Sequence, residues 1–206
     1  MTRSLAILGA GGHGRVVADC AEALGWRVEL FDDGPVAPEP RPWPVVGAVG
    51  DLLERIGTYD GVVVGIGANR VRLDRQRMFA ERGGQIATLV HPGATVSRHA
   101  RLGAGTVVFA GAVVNVGAVI GEACIINTGA GVDHDDRLAD GVHLSPGAHL
   151  GGGVTVGECA WIGLGASVRE GVAIGRNVRI GAGAAVITST LDDLDLVGVP
   201  ARPLKR

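Results

Sequence analysis

From Val90 to Val186 every sixth residue of the chain is Leu, Ile or Val, seventeen times in succession. Four positions after each aliphatic stands a small or β-branched residue, as in Ala94, Thr106, Ala118, Cys124, Ala130, Val142 and Ala160. One rung departs from this second rule, with Asp136 at the end of Asp133-His134-Asp135-Asp136. A period of six belongs neither to a half-buried strand nor to an amphipathic helix. It is the period of a hexapeptide solenoid, whose units bury their apolar face only by stacking on one another. Three hexapeptides close a triangular coil of 18 residues, so residues 18 apart stack at roughly the 4.8 Å strand spacing. The aliphatic column fills the prism and the small residue fits near a corner. Gly precedes the small residue at Gly93, Gly105, Gly111, Gly117, Gly129, Gly141 and Gly147, where the chain turns and positive φ is cheap. About five coils without insertion are predicted.

Residues 1–88 follow a different pattern. A short apolar strand, Ser4 to Leu8, runs into Gly9-Ala10-Gly11-Gly12-His13-Gly14. A helix with Val16, Val17, Cys20 and Leu24 on one face should follow, stopped by Gly25. A second strand, Arg27 to Phe31, ends at Asp32-Asp33, and a loop with Pro35, Pro38, Pro40, Pro42 and Pro44 leads to a short helix from Asp51. A third strand, Gly61 to Ile66, precedes Gly67-Ala68-Asn69-Arg70 and a helix to Ala80; the strand Ile86 to Val90 hands over to the repeats. Strands alternating with helices at this spacing predict a small parallel α/β unit. Two domains are expected, 1–88 and 89–206.

Composition narrows the classes. A net charge of −2 argues against nucleic-acid and membrane partners. Aromatics make up 3%, as suits a narrow solenoid core. Cys20, Cys124 and Cys159 form no CxxC and read as buried thiols of a reducing compartment. Residues 1–10 read as a strand rather than a secretion signal, and no apolar run approaches 18 residues, so a cytoplasmic protein is expected.

The first turn matches G-x-G-x-x-G after a strand, with acidic residues about 20 positions on. Glycines there let backbone N–H groups approach a diphosphate at a helix N-terminus, where partial positive charge helps. Gly11 to His13, Asp32-Asp33 and Gly67 to Arg70 all fall at carboxyl ends of predicted strands, where ligands of such sheets sit. A nucleotide diphosphate is the expected ligand. NAD is disfavoured, because the unit is about half of a dinucleotide-binding fold.

His134 stands apart from the other histidines because Asp133, Asp135 and Asp136 surround it. A carboxylate bonded to one imidazole nitrogen fixes the tautomer and raises the basicity of the other. That suits a general base acting on an amine or hydroxyl that attacks a thioester. One coil on, 134 + 18 gives Gly152, within Gly151-Gly152-Gly153. A glycine there leaves room for substrate and offers a backbone N–H to a developing oxyanion. Prisms of this kind also hold zinc through three histidines in gamma-class carbonic anhydrases. Their close pair is five residues apart, whereas His143 and His149 are six apart, and positions 107 and 113 are both Val. No metal is expected.

Together, Gly9 to Val17, Asp32-Asp33, Ile66 to Arg70, His91-Pro92, the repeats, Asp133-His134-Asp135 and the tail Val197 to Pro203 resemble the NeuD/PglD family. The similarity covers essentially the whole chain. It implies a Rossmann-like α/β nucleotide-sugar domain followed by an all-β left-handed parallel β-helix. It further implies a homotrimer with acetyl-CoA bound in a groove between neighbouring prisms. The implied reaction is acetylation of the 4-amino group of a nucleotide-linked 4-amino-4,6-dideoxy sugar. In the sialic acid branch the acceptor is a hydroxyl instead.

By position, the resemblance makes His134 the base and Asp135 its carboxylate partner. The family's usual residue after the His is Glu, so Asp133 and Asp136 remain alternative partners. His143 and Gly152 match residues near the acetyl group; Gly11, Gly12, His13 and Gly14 match the phosphate-facing turn. Asp32 and Asp33 match carboxylates near the nucleobase, and Asn69 and Arg70 the loop flanking the nucleotide. Direct transfer without an acyl-enzyme is expected, since no Cys falls in this set. Arg169, Arg176 and Arg179 are candidates for the CoA 3′-phosphate, and the sequence leaves UDP, GDP, dTDP and CMP all open.

Overall fold

The computed structural model describes residues 2–34 and 42–204, so Pro35, Pro38 and Pro40 of the proline-rich loop lie outside the described residues. The chain divides into two compact units, Met1–Pro92 and Gly93–Arg206. The expected boundary at 88 falls just ahead of this division.

In the first unit, β1 (Ser4–Leu8), β2 (Arg27–Phe31), β3 (Val45–Gly47) and β4 (Gly61–Val64) form a parallel sheet in the order β3-β2-β1-β4. α1 (Gly12–Ala23), α2 (Val49–Arg55) and α3 (Asn69–Glu81) connect or follow the strands. β1, inside the sheet, and β4, whose outer side carries an isolated bridge from Val62 to Ile86, are buried along their whole length. Leu8, Phe31, Leu52, Tyr59, Val64 and Phe79 share one buried cluster. The sequence reading differs from the structure at three points, one being that the strand expected from Ile86 to Val90 forms only at Leu89–Val90, with Ile86 in an isolated bridge to Val62. β3 was not anticipated, because three residues beside the prolines carry no periodicity. Val16, expected on the buried face of α1, is 44% exposed. The helix instead buries Gly14, Val17, Ala18, Cys20 and Ala21, the narrow face that close approach to the sheet requires.

The second unit is a left-handed parallel β-helix of two-residue strands. Each strand ends on a member of the aliphatic column, from Thr95–Val96 to Ala185–Val186. Every member from Val108 to Val186 is buried. Pairing runs at intervals of 18, as in Val119 with Arg137, Ile125 with His143 and Val132 with Val114. One face holds five strands, Arg101–Leu102 to Ala173–Ile174, and a second holds six, Thr95–Val96 to Ala185–Val186. The third face includes His143–Leu144, Trp161–Ile162 and Arg179–Ile180, and is extended by Asp195–Val197 and antiparallel Arg202–Pro203. From Gly105 to Gly183 the residue ahead of each small one adopts a left-handed conformation, usually as Gly; Gly93, expected to share it, and His99 do not. Ala123, Asp135, Cys159 and Asn177 hold the same slot with φ between 51° and 62°.

Candidate active site

His134 follows strand Gly131–Val132 at a corner of the prism. Its Nδ1 lies 2.9 Å from Asp135 Oδ2. This bond places the ring proton on Nδ1 and leaves the Nε2 lone pair outward. Asp135 can reach back because it occupies the left-handed slot, at φ 62°, a conformation that Asp tolerates better than most residues. Gly117, one coil below, completes the seat: a Cβ there would overlap Asp135 Oδ1. The Asp135 hydrogen bond, followed by the charge of Asp133, raises the His134 pKa above that of free imidazole.

The other two carboxylates hold the loop. Asp133 Oδ1 accepts the His134 N–H at 2.7 Å and Asn115 Nδ2 at 2.9 Å, and the first of these bonds is the main cause of its lowered pKa. Asp136 is fully buried, and burial pushes its carboxyl up to about 6. Of the three aspartates left open as partners of His134, Asp135 is the one hydrogen-bonded to its imidazole, whereas Asp133 meets only its backbone N–H.

Gly152 stands over His134. A Cβ on Gly152 would collide with Nε2 and Cε1 of the imidazole. Its two glycine neighbours have separate reasons. A Cβ on Gly151 would come within 2.7 Å of the Glu170 backbone nitrogen, and Gly153 turns at φ 70°. His143 lies elsewhere in the chain, at the start of a strand on the third face, 6% exposed. It stacks on Trp161 at 4.7 Å between centroids and meets Asn127 Nδ2 through Nε2 at 3.2 Å. The chain therefore does not bring His143 to the His134 corner. Next to Trp161 opens a cavity of about 440 Å³, with Ser145, Leu164, Arg179 and Val197 among its lining. Arg179 reaches this cavity; Arg176 is tied to Asp192 at 2.9 Å and Arg169 does not line it. His143 and His149 stand on different faces. Among the described residues no group of three or more His, Cys, Asp or Glu is placed to hold a metal.

In the first unit, a cavity of about 460 Å³ opens at the carboxyl ends of β1 and β4. Gly11, Gly12, His13, Asp32 and Asp33 line it together with Gly67, Val71 and Arg75. A Cβ on Gly11 or Gly12 would meet nothing within 4 Å, so the α1 N-terminus is open to a ligand. Burial, then the charge of Arg72, lowers His13 to about 4, so it is neutral at pH 7. Asp32 fixes the turn, with Oδ2 accepting the Ala10 N–H at 2.6 Å and Oδ1 the Gly34 N–H at 2.8 Å. Asp33 Oδ1 accepts the Val49 N–H at the start of α2, at 2.8 Å.

Gly14, Asn69 and Arg70 are not part of this lining. Gly14 is buried, and its Cα faces the Gly9 carbonyl so closely that no side chain fits. Asn69 Oδ1 accepts from Arg72 Nη2 at 2.9 Å. Arg72, 1% exposed, also donates Nη1 to the carbonyls of Ile66 and Gly67, pinning the loop that ends β4. The sequence reading missed Arg72, Val71 and Arg75. It also missed Asn115 and Gly117, although both sit 18 residues before members of the His134 loop.

A parallel β-helix with a carboxylate-paired histidine at a corner, joined to an α/β unit with an open glycine turn, defines a hexapeptide-repeat acyltransferase. The comparisons with known proteins narrow this class. Residues 4–79 match the model of the PglD N-terminal domain. The acetyltransferase domain of PglB from Neisseria gonorrhoeae FA1090, solved in complex with acetyl coenzyme A, is 40% identical; the match covers 99% of this chain and 100% of that one, with a TM-score of 0.95. PerB from Caulobacter crescentus, in complex with CoA and GDP-perosamine, is 39% identical over 98% of this chain and 97% of that one, at a TM-score of 0.93. WeeI from Acinetobacter baumannii AYE shares the fold at 23% identity and a TM-score of 0.85, covering 97% of this chain and 99% of that one. No curated protein matches the chain. The chain belongs to the NeuD/PglD family of sugar acetyltransferases and is an acetyltransferase. No helix among the described residues is long and apolar enough to cross a membrane.

Proposed function

We propose that the protein transfers acetyl from acetyl-CoA to the 4-amino group of a nucleotide-diphosphate-linked 4-amino-4,6-dideoxy sugar. The observation that carries this reading is the His134–Asp135 pair with Nε2 held against Gly152. His134 Nε2 takes a proton from the amine as its nitrogen bonds to the thioester carbonyl carbon. The Gly152 N–H, which has no acceptor among the described residues, donates to the oxyanion that develops. As the C–S bond breaks, the imidazolium returns the proton to the CoA sulfur, leaving amide and free thiol. The complexes of relatives with acetyl coenzyme A and with CoA and GDP-perosamine support both substrates. In the first unit, the open turn at Gly11 and Gly12 suits the diphosphate.

The working assembly is a homotrimer, with each site completed by a neighbouring prism. The separation of His134 and His143 on one chain supports this, as do exposed Val113, Val116, Trp161 and Leu164 on the prism. The buried thiols Cys20, Cys124 and Cys159 suit a cytoplasmic setting.

The test is acetyl transfer measured on UDP-, GDP- and dTDP-linked 4-amino sugars, with CMP-linked and free sialic acid alongside. His134→Ala should lower kcat by on the order of 10²–10⁴ while the assembly persists. Turnover near that of the parent would remove His134 from the mechanism. Transfer to sialic acid alone would replace the amine by a hydroxyl.

A further inference from the structure

Asp136 has no part in the chemistry above, yet it is the one charged residue of the inner small-residue column. Its side chain is fully buried and both oxygens are engaged. Oδ2 accepts the Asp133 N–H and Oδ1 the Val154 N–H, each at 2.8 Å. The second bond departs from the usual corner of this prism. At most alanine corners the small residue's N–H donates to the carbonyl three residues earlier, as in Ala130 to Asn127 (3.0 Å), Ala148 to Ser145 (3.0 Å) and Ala166 to Gly163 (3.1 Å), whereas Val142, Val172 and Val178 make no such bond. At the corner carrying Gly152, the Val154 N–H turns to the side chain one coil below. Thr106 makes the equivalent bond to the Cys124 N–H at 3.0 Å, so the coil geometry accepts a neutral acceptor in this column. An alanine would fill the space without burying a carboxylate, a group that is costly to desolvate.

We propose that Asp136 is a positioning residue for acetyl transfer: it clamps the corner bearing His134 to the corner bearing Gly152 and so fixes the distance between base and oxyanion donor. The inference rests on the roles given above to His134 and Gly152. Hydrogen bonds from backbone N–H to a carboxylate are short and strong, and one carboxylate serves both corners. Displacement of a reacting group by about 1 Å costs on the order of 10² in rate.

Three variants test it in the full-length protein, with acetyl-CoA and whichever amino-sugar nucleotide the panel identifies. Asp136→Ala should fold, because the corners at Val142, Val172 and Val178 form with no bond, among the described residues, from the valine N–H to a side chain or to the carbonyl three residues earlier. Its kcat should fall by roughly 10²-fold with both KM values kept. Asp136→Thr restores an acceptor for Val154 and should come within about tenfold of the parent, on the same geometric argument. The double variant with His134→Ala should be no slower than His134→Ala alone, since the clamp acts through that pair. A parent-like kcat in Asp136→Ala, a Thr variant as slow as the Ala variant, or losses that multiply in the double variant would each overturn the proposal. Should Asp136→Ala fail to fold, the Thr variant decides by the same margin. An active His134→Ala overturns the base assignment itself, and the clamp with it, by a result independent of the Asp136 variants.

Discussion

Gly152 lies one coil beyond His134 with its Cα hydrogen directed at the imidazole, so that any Cβ would fall on Nε2. The spacing of 18 residues makes these two neighbours although nothing in the linear sequence joins them. Gly152→Ala is expected to fold, since its backbone is not in the left-handed region, and to lose about 10²-fold or more in kcat. Acetyl-transfer kinetics together with a melting curve check this; equal kcat would show that the ring can move aside without loss.

Asp135 raises the His134 pKa, and the base must be deprotonated to act. The rate kcat/KM should therefore climb with pH through a value above that of free imidazole. Asp135→Asn keeps the left-handed turn, which Asn also tolerates, but removes the charge. The acidic limb of the pH profile should then move to lower pH, and the plateau should fall by up to about 10². A limb that stays in place would mean that another group sets it.

Gly117 and Gly129 occupy the same left-handed slot, at φ 77° and 64°. Alanine at either costs roughly 1–2 kcal/mol of backbone strain, and Ala123 shows that the fold accepts it. Only at 117 would the new Cβ displace the Asp135 carboxylate. Both variants should lose similar stability in chemical denaturation, whereas Gly117→Ala alone should lose activity and show the acid-shifted profile.

The glycine turn of the first unit divides in the same manner. Gly12→Ala meets no protein atom but enters the cavity, so nucleotide-sugar affinity should fall by about tenfold, or 1.4 kcal/mol, with the melting temperature unchanged. Gly14→Ala would drive its Cβ into the Gly9 carbonyl and should cost roughly 1–3 kcal/mol of stability. Calorimetric titration and thermal melts separate the two.

Arg75 is the cavity's charged donor on α3, while His13, lowered to about 4, brings no charge at neutral pH. Arg75→Ala should weaken binding of nucleoside diphosphate more than of the nucleoside, and the difference should shrink at high salt. Equal losses for the two ligands would place Arg75 away from the phosphates.

The prism was legible in the sequence because its period is covalent: the aliphatic column names the residue that ends each strand, and the 18-residue coil pairs His134 with Gly152 and Arg137 with Val119. The identity of the His134 partner was not, since three neighbouring aspartates are equivalent until φ at 135 is known. In the first unit the motif could not separate a glycine that opens a cavity, Gly12, from one that admits a backbone, Gly14. Nor could it show that Asn69 serves Arg72 rather than a ligand. Arg75 escaped notice because its place depends on which face α3 turns to the sheet.

The unbroken 18-residue register also makes the site sensitive to phase rather than to length. Loss of a single hexapeptide between His134 and Gly152 would rotate the stack by a third of a turn and bring Glu158 over the imidazole in place of the glycine. Gain or loss of a whole coil beyond Gly171 would leave every neighbour of His134 where it is. Changes of one coil there thus preserve the site, whereas a change of another size between the two corners preserves it only if the added residues loop out of the stack.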